Sequence, residues 1–191
     1  MTFPMSMLKH ILVINMYIVL GRFQPFHKGH EILVQAALEM GPTVIAIGSS
    51  EAEIGFDNPW TADERESMIK SWLAERDAKI VHIPDINDPP NWVSHASKFH
   101  GEGVLVTSDL ATKELYQNAD FDVHWIDLQN RESYEGWRVR TTLKMLSTVY
   151  EQEAQIEVMS VSIPHNVVSW LIENDALHRL YAMSKEIERV G

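Results

Sequence analysis

The stretch Gly21 to His30, which reads Gly-Arg-Phe-Gln-Pro-Phe-His-Lys-Gly-His, concentrates side chains that can bind an anion. His27 and His30 are three residues apart, so at the start of a helix both imidazoles can face the same side. Arg22 and Lys28 add cationic donors where the N-terminus of a helix already favours negative charge. The stretch predicts a phosphate site that lacks any Walker-type glycine pattern.

Two other interpretations of the histidine pair stay open at this point. Two histidines could ligate a metal, although no third ligand is evident nearby. They could also cap a helix and face solvent, as isolated pairs usually do. The neighbouring Gly21, Pro25 and Gly29 favour the anion site, because they supply a sharp turn, a stiff loop and close approach of ligand to backbone.

Four residues further along have side chains suited to binding, each with a plainer alternative. Trp92 offers a π face to a cationic ring or is a core aromatic, and Asp85 offers a carboxylate that accepts from an amide or a hydroxyl. Arg65 reaches a phosphate or is solvated on a helix. Trp60 packs near a substrate or staples the start of that helix.

Strand-like and helix-like stretches alternate along the chain and must position these groups. Apolar runs typical of buried strands occupy Tyr17–Gly21, Thr43–Gly48, Lys79–Ile83, Gly103–Ser108 and Phe121–Ile126. This alternation predicts an α/β fold, a doubly wound parallel sheet covered by helices, with C-terminal helices following it. In such sheets ligands bind beyond the carboxyl ends of the strands, at the switch point in strand order.

The helices between these strands have recognisable starts and faces. Helices are expected from about Gly29 to Met40, from near Asn91, from about Leu110 to Tyr116, and through the tail from about Arg138. Thr61-Ala-Asp-Glu64 is a capping box, and it predicts a helix whose core face is Met68, Ile69, Trp72 and Leu73.

The composition sets limits on partners and compartment. The 191 residues include 16 Lys or Arg and 27 Asp or Glu, a net charge of −11, so a broad surface for nucleic acid is not expected. The apolar run Ile11–Leu20 is too short to span a membrane. The absence of Cys excludes disulfides and thiolate chemistry. We expect a cytoplasmic protein with one domain, residues 16–191, after an N-terminal extension, residues 1–15.

Gly21 to His30 resembles the first motif of the HxGH nucleotidyltransferases, and the form GRFQPFHxGH resembles the archaeal-type nicotinamide mononucleotide adenylyltransferases. Asn58 to Arg65 is similar to the NPFTAGER segment of that family, with Trp for Phe and Asp for Gly. Asp85 followed seven residues later by Trp92 matches the spacing of its nicotinamide-site pair. The similarity extends from about Met16 to about Met183.

The resemblance implies transfer of AMP from ATP to nicotinamide mononucleotide (NMN), giving NAD and pyrophosphate, with Mg²⁺ entering with ATP and no metal site in the protein. It implies catalytic roles for Arg22, His27, His30 and Arg140, with His30 nearest the transition-state charge. Residues implied to contact ATP are Gly21, Arg22, Phe23, His27, Gly29, His30, Ser108, Asp109, Gly136, Arg138 and Arg140. Those implied to contact NMN are Trp60, Arg65, Asp85 and Trp92.

One segment departs from the family. Where the archaeal enzymes carry Ser-Gly-Thr-x-x-Arg, this chain has Glu135-Gly-Trp-Arg-Val-Arg140, which keeps the glycine and the last arginine and loses both hydroxyls. A carboxylate at Glu135 should repel a triphosphate by about 1 kcal/mol or more unless Arg138 or Arg131 neutralises it.

Two other functions remain possible at this point: a related nucleotidyltransferase with another phosphate acceptor, and a nucleotide-binding regulator with weakened chemistry. The Asp85 and Trp92 pair argues against the first, and the intact histidine pair against the second. Members of this family assemble, so we expect a homo-oligomer, with small molecules as the other partners and neither nucleic acid nor membrane.

Overall fold

The computed structural model describes residues 15–129 and 131–188. Within them, one five-stranded sheet has the order β3-β2-β1-β4-β5, and each neighbouring pair of strands is parallel. The strands are β1 (Tyr17–Gly21), β2 (Thr43–Ile47), β3 (Lys79–His82), β4 (Val104–Thr107) and β5 (Asp122–Trp125). The predicted doubly wound α/β fold is therefore confirmed.

Eight helices are described around this sheet: α1 (Lys28–Met40), α2 (Ala62–Leu73), α3 (Trp92–His100), α4 (Leu110–Gln117), α5 (Gly136–Leu146), α6 (Gln152–Ser162), α7 (His165–Glu173) and α8 (Ala176–Glu188). The predicted helical tail thus begins at Gly136 and is divided into four helices. Short 3-10 turns at Pro89–Asn91 and Arg131–Tyr134 precede α3 and α5.

The central strands are buried on both faces because helices cover both sides of the sheet. Since side chains alternate along a strand, neighbouring residues of one strand enter different cores. On one face Val19, Ile45, Ile47 and Val106 pack with residues of α1, α2 and the C-terminal helices. On the other face Ile18, Ala46 and Leu105 pack with residues of α3 and α4.

The capping box at the start of α2 forms as predicted. The Thr61 N–H donates to Glu64 Oε2 at 2.8 Å, and the Glu64 N–H donates to the Thr61 hydroxyl at 3.2 Å. The predicted core face of this helix is buried throughout, at Met68, Ile69, Trp72 and Leu73. The helix is therefore fixed at its first turn and along one side.

The strand order reverses beside β1. β1 pairs with β2 on one side and with β4 on the other. The chain runs outward from β1 through β2 to β3, and α3 then returns it to β4 on the opposite side of β1. The carboxyl ends of β1 and β4 meet at this switch point, where the fold predicts a ligand.

The predicted extension, residues 1–15, lies outside the described residues apart from Asn15. Among the helices described, none is both long enough and apolar enough to cross a membrane.

Candidate active site

A cleft of about 350 Å³ opens at the carboxyl ends of β1 and β4. It brings together side chains and backbone from the first loop, the end of β4 and the start of α5. The predicted residues that line it are Arg22, His27, Gly29, His30, Ser108, Asp109, Gly136 and Arg140. The switch point therefore gathers three sequence segments that lie far apart along the chain.

Two helices begin at this cleft. His27 is the N-cap of α1, and α5 begins at Gly136, so the free N–H groups of both first turns are available to an anion. The approach is close: a Cβ on Gly29 would lie 2.9 Å from the Tyr134 Cβ, and a Cβ on Gly136 would lie 3.2 Å from Arg140 Nη1. Glycine at both positions permits this packing.

The two histidines form a packed unit. Their ring centroids are 3.7 Å apart, and the Phe23 ring lies 4.6 Å from that of His30. The His27 N–H donates to His30 Nδ1 at 3.3 Å, which leaves the proton of a neutral His30 ring on Nε2. His27 Nδ1 has no hydrogen-bond partner among the described residues.

Both imidazoles are neutral at pH 7. Burial, and secondarily the nearby Arg140 guanidinium, lower the pKa of His27 to about 3. Burial, and secondarily His27, hold the pKa of His30 well below its usual range. The histidines therefore act as neutral hydrogen-bonding groups, and the positive charge of the cleft comes from its arginines.

Arg140 is held at the base of the cleft. Its Nη1 donates to the Gln24 carbonyl at 3.1 Å, and its Nη2 lies 3.6 Å from Asp57 Oδ1. Burial and the positive charge of Arg22 lower the pKa of Arg140, whereas Asp57 raises it. The Asp57 side chain is 85% exposed, so this carboxylate is free to leave when another anion binds Arg140.

The departure from the family motif forms its own hydrogen-bond network. Glu135 Oε2 accepts from Trp137 Nε1 at 2.8 Å and from Arg138 Nε at 3.1 Å. The Arg138 guanidinium also lies 4.7 Å from the Trp137 ring centre. Arg138 thus neutralises Glu135. It was predicted to contact ATP, but it lines a neighbouring surface pocket and not the cleft.

Arg131 does not pair with Glu135. Its Nη2 lies 2.8 Å from Asp109 Oδ1, and its Nη1 donates to the Ser108 carbonyl. Asp109 also caps α4 by accepting from the Thr112 N–H and hydroxyl, each at 2.9 Å. Because Arg131 bonds to Ser108 and Asp109, the loop after β5 is fixed to the end of β4. Arg131 also lines the cleft.

A second cavity, of about 310 Å³, adjoins the first, and Arg22 lines both. It contains the predicted pair Asp85 and Trp92, together with Gly21. Asp85 is exposed, and the half-buried Trp92 ring packs edge-on against Tyr116 with centroids 6.4 Å apart. The two predicted binding regions are therefore adjacent, with Arg22 between them.

Besides Arg138, four predicted groups lie outside both cavities. Phe23, Trp60 and Arg65 are buried, at 0%, 1% and 1% exposure, and line neither cavity. Trp60 packs in the core, and its backbone exchanges two hydrogen bonds with the Gln24 amide. Lys28 was expected among the converging donors, but it donates to the Ser160 carbonyl at 2.6 Å.

Arg65 fits neither of its expected positions. The Arg65 guanidinium is buried and so is not solvated, and it lines neither cavity. Each of its three nitrogens donates to a backbone carbonyl instead. Four of the five guanidinium N–H groups thus donate to the protein's own backbone.

A further cavity and a cluster of possible metal ligands lie outside the cleft and the second cavity, and neither offers a comparable set of cationic donors. A cavity of about 580 Å³ that lies between α6, α7, α8 and the segment after α5 has no Arg or Lys in its lining. Asp63, Glu66 and His82 bring ligand atoms within 4.8 Å of one another, the one such group found among the described residues. Glu66 is already paired there with Lys70 at 2.6 Å. Among the described residues, no third ligand joins His27 and His30 in a group that could hold a metal.

Residues 18–174 match the family model described as cytidylyltransferase-like. The chain belongs to this cytidylyltransferase-like family. The match covers the sheet and the helices through α7, and so includes both cavities. The HxGH motif that indicated such a protein, His27 to His30, is the N-cap and first turn of α1 and lines the cleft.

The relatives of this cytidylyltransferase-like chain include archaeal nicotinamide-nucleotide adenylyltransferases. The chain is 36% identical to that of Picrophilus torridus over 130 residues, which covers 65% of this chain and 77% of the relative. It is 31% identical to that of Thermoplasma volcanium, over 90% of this chain and 94% of the relative. The resemblance inferred from the motifs is therefore confirmed.

Solved structures with this fold include a bifunctional NMN adenylyltransferase/ADP ribose pyrophosphatase from Francisella tularensis. It superposes with a TM-score of 0.67 at 20% identity, and the match covers 92% of this chain and 55% of that chain. A second structure of such a protein, complexed with AMP and a Mn ion, gives a TM-score of 0.65 at 17% identity. The cytidylyltransferase-like chain spans about half the length of these bifunctional proteins.

The sequence predicts no site role for Gln24, Asp57 or Tyr134. Gln24 had a usable signal, since it lies inside the first motif. Asp57 and Tyr134 have none, because Asp57 meets Arg140 only through tertiary packing and Tyr134 contributes the Cβ that packs against Gly29. Arg131 was expected to neutralise Glu135, but it pairs with Asp109 instead.

Proposed function

We propose that this protein transfers AMP from ATP to the 5′-phosphate of NMN, forming NAD and pyrophosphate. The observation that carries the proposal is the shared position of Arg22. An anion-binding cleft with His27, His30 and Arg140 adjoins, across Arg22, a cavity that holds an aromatic face and a carboxylate. The names of the archaeal relatives support the same reaction.

ATP fits the cleft through its phosphates. The first turns of α1 and α5 offer unpaired backbone N–H groups, and Arg22 and Arg140 offer guanidinium groups. The Nε2–H of His30 is free to donate to a phosphate oxygen, because its Nδ1 is used by the His27 N–H. The helix N–H groups, Arg140 and His30 are held in place by the protein itself, so little reorganisation of these donors is needed at the transition state.

NMN fits the second cavity. The Trp92 ring offers its face to the cationic pyridinium, and Asp85 accepts a hydrogen bond from the carboxamide or from a ribose hydroxyl. Its phosphate then lies toward Arg22, at the boundary with the cleft. Arg22 is suited to hold the acceptor phosphate and the α-phosphate of ATP together despite their mutual repulsion.

In the reaction, an oxygen of the NMN phosphate attacks the α-phosphorus of ATP. A bond forms between them as the bond from the α-phosphorus to the bridging oxygen breaks, and that electron pair leaves with pyrophosphate. The nucleophile is already anionic at neutral pH, so no general base is required. The protein contributes by aligning the two phosphates and by stabilising the charge that develops on the α-phosphate and the leaving group.

The carboxylates that line the cleft are both engaged. Asp109 binds Thr112 and Arg131, and Glu135 binds Trp137 and Arg138. This donor set fits a Mg²⁺ ion held mainly by the phosphates of ATP rather than by a cage of protein ligands. Mg²⁺ bound in this way would offset charge on the leaving pyrophosphate.

A panel of acceptors tests the proposal. Purified protein is incubated with ATP, Mg²⁺ and either NMN, nicotinate mononucleotide, phosphopantetheine or a sugar phosphate, and products are separated by chromatography. We expect NAD and stoichiometric pyrophosphate with NMN. Turnover of phosphopantetheine or the sugar phosphate alone, or nucleotide binding without product, would contradict it. Homo-oligomeric assembly stays a prediction.

A further inference from the structure

Arg65 is a buried cation that makes four side-chain hydrogen bonds, all of them to backbone carbonyls. The side chain projects from the first turn of α2 and is 1% exposed. Its Nη1 donates at 2.8 Å to the carbonyls of both Arg22 and Gly48, and its Nη2 donates to the Ser49 carbonyl at 3.0 Å. Its Nε donates to the Thr61 carbonyl of its own helix at 3.1 Å. One guanidinium thus joins α2 to two separate loops.

These loops follow adjacent strands. Arg22 comes directly after β1, and Gly48 and Ser49 come directly after β2. A backbone hydrogen bond of 2.9 Å from the Gly48 N–H to the Gly21 carbonyl also joins them. Each loop carries a non-glycine residue in the left-handed region, Phe23 at φ 51° and Ser49 at φ 50°. Such conformations persist only where the surroundings enforce them, and Arg65 contacts both loops beside those residues.

The anchored residues do not divide equally between the two cavities. Gly48 and Ser49 line the second cavity and are absent from the lining of the cleft, whereas Arg22 lines both. The other cleft groups are fixed independently, by α1, α5 and the end of β4. Loss of the Arg65 contacts should therefore disturb the second cavity and its boundary more than the cleft.

We propose that Arg65 is a positioning residue for the acceptor nucleotide: it holds the loops after β1 and β2 in the conformation that shapes the second cavity and fixes Arg22 at its boundary. The inference rests on the proposed function for the identity of that acceptor, NMN. Arg65 touches neither substrate in this account, and acts through the backbone of Arg22, Gly48 and Ser49.

The charge of Arg65 is compatible with this role. Burial, and secondarily the positive charge of Arg22, lower the pKa of Arg65 to about 10, while Asp85 acts in the opposite direction. The guanidinium therefore stays protonated at neutral pH and keeps all its donors. Lysine would keep the charge but not the planar, forked set of donors that reaches three loop carbonyls at once.

Arg65→Lys tests the proposal, with Arg179→Lys as the matched control. Arg179 also binds a backbone carbonyl, that of Pro59 at 2.9 Å, and pairs with Glu64, but it lines neither cavity. We expect Arg65→Lys to raise the KM and Kd for NMN by roughly tenfold or more, since small misplacements are costly, with the Kd for ATP changed less than about threefold. Arg179→Lys should leave both unchanged below its unfolding temperature.

Affinities are measured by calorimetry at a temperature where circular dichroism shows each variant folded. An unchanged NMN affinity in Arg65→Lys, or equal losses for NMN and ATP, would overturn the positioning role. A wild-type protein that forms no NAD contradicts the proposed function instead, so the two failures are distinguishable.

Wild-type protein supplies a measurement that does not depend on any variant folding. If Arg65 holds the loops in place before the substrate binds, the amides of Gly48 and Ser50 should exchange with deuterium nearly as slowly as those of β2 in the free protein. Both amides donate to backbone carbonyls, at 2.9 and 3.0 Å. Exchange as fast as at the exposed residues Glu51, Glu53 and Ile54, slowed only by NMN, would show that the acceptor orders these loops and would overturn the inference.

Discussion

The rings of His27 and His30 stack at a centroid separation of 3.7 Å with 25° between their planes. This contact is compatible with two neutral imidazoles and not with two imidazolium ions. Burial is the main cause that holds the pKa of each ring below the ordinary value for histidine, with the Arg140 guanidinium adding to the effect at His27 and His27 adding to it at His30. The pair therefore presents an oriented N–H to the cleft, while the arginines supply the positive charge.

Stability should fall as the pH is lowered from 7 to 5. The unfolded histidines bind protons near pH 6.5, whereas folded His27 has a pKa of about 3 and that of folded His30 is also depressed. The unfolded state thus binds more protons in this window. The free energy of unfolding should decrease by up to about 1.4 kcal/mol per pH unit for each such histidine. His100, with its pKa lowered mainly by burial, adds to the same slope.

Thermal unfolding midpoints between pH 5 and 7 measure this effect. His27→Asn should reduce the pH dependence, because one of the contributing groups is removed. His178→Asn, at a side chain that is 69% exposed, should leave it as in wild type. The same pH dependence in His27→Asn as in wild type would contradict the neutral, buried state of His27.

Arg138 should assist ATP binding by neutralising Glu135. In Arg138→Met the Glu135 carboxylate would lose its partner at the wall of the cleft and repel the phosphates. Because both side chains are partly exposed, we expect only about a fivefold rise in the Kd for ATP, equivalent to about 1 kcal/mol. The double variant Glu135→Gln/Arg138→Met should regain most of the affinity. Calorimetric titrations that give equal values for the single and double variants would contradict this pairing.

Asp57 should compete with the nucleotide for Arg140. Its exposed carboxylate lies 3.6 Å from Arg140 Nη2, in a cleft that is proposed to take polyphosphate. Asp57→Asn should lower the Kd for ATP by roughly two- to fivefold, the range expected for an exposed ion pair. The control Asp122→Asn removes the same charge at the exposed edge strand β5 and should have little effect. Equal changes in both variants would assign the effect to net charge.

Gly29 should tolerate no side chain. A Cβ there would lie 2.9 Å from the Tyr134 Cβ and 3.1 Å from His27 Cε1, so Gly29→Ala must separate α1 from the turn before α5. We expect a loss of about 1–3 kcal/mol in unfolding free energy from overpacking, and a lower kcat/KM. Gly55→Ala, where a Cβ meets nothing within 4 Å, should match wild type in urea unfolding and in initial rates. Wild-type values for Gly29→Ala would contradict the close packing.

The sheet and the place of the cleft follow from local signals. The apolar runs that end at Gly21 and Ser108 predict strands. Because these runs alternate with helices, the strands should be parallel, with their carboxyl ends at the same edge of the sheet. The capping box at Thr61 predicts the start of α2 because its two hydrogen bonds involve residues only three positions apart.

The direction of long side chains could not be predicted in the same way. Arg65 follows a motif that suggests phosphate binding, but its partners are carbonyls at Arg22, Gly48 and Ser49, 16 to 43 positions away. Lys28 belongs to the first motif and bonds to Ser160, 132 positions away. Such contacts depend on how distant segments pack, which the local pattern does not encode.

The initial rate of NAD formation from ATP and NMN, compared between wild type and His30→Ala, shows whether the protein transfers AMP and whether His30 takes part. Loss of the His30 N–H at the transferring phosphate should lower kcat by roughly a hundredfold or more, with a native circular dichroism spectrum retained. We expect NAD from the wild type and this large loss of kcat in the variant. No NAD from the wild type, or equal rates from both proteins, would contradict it.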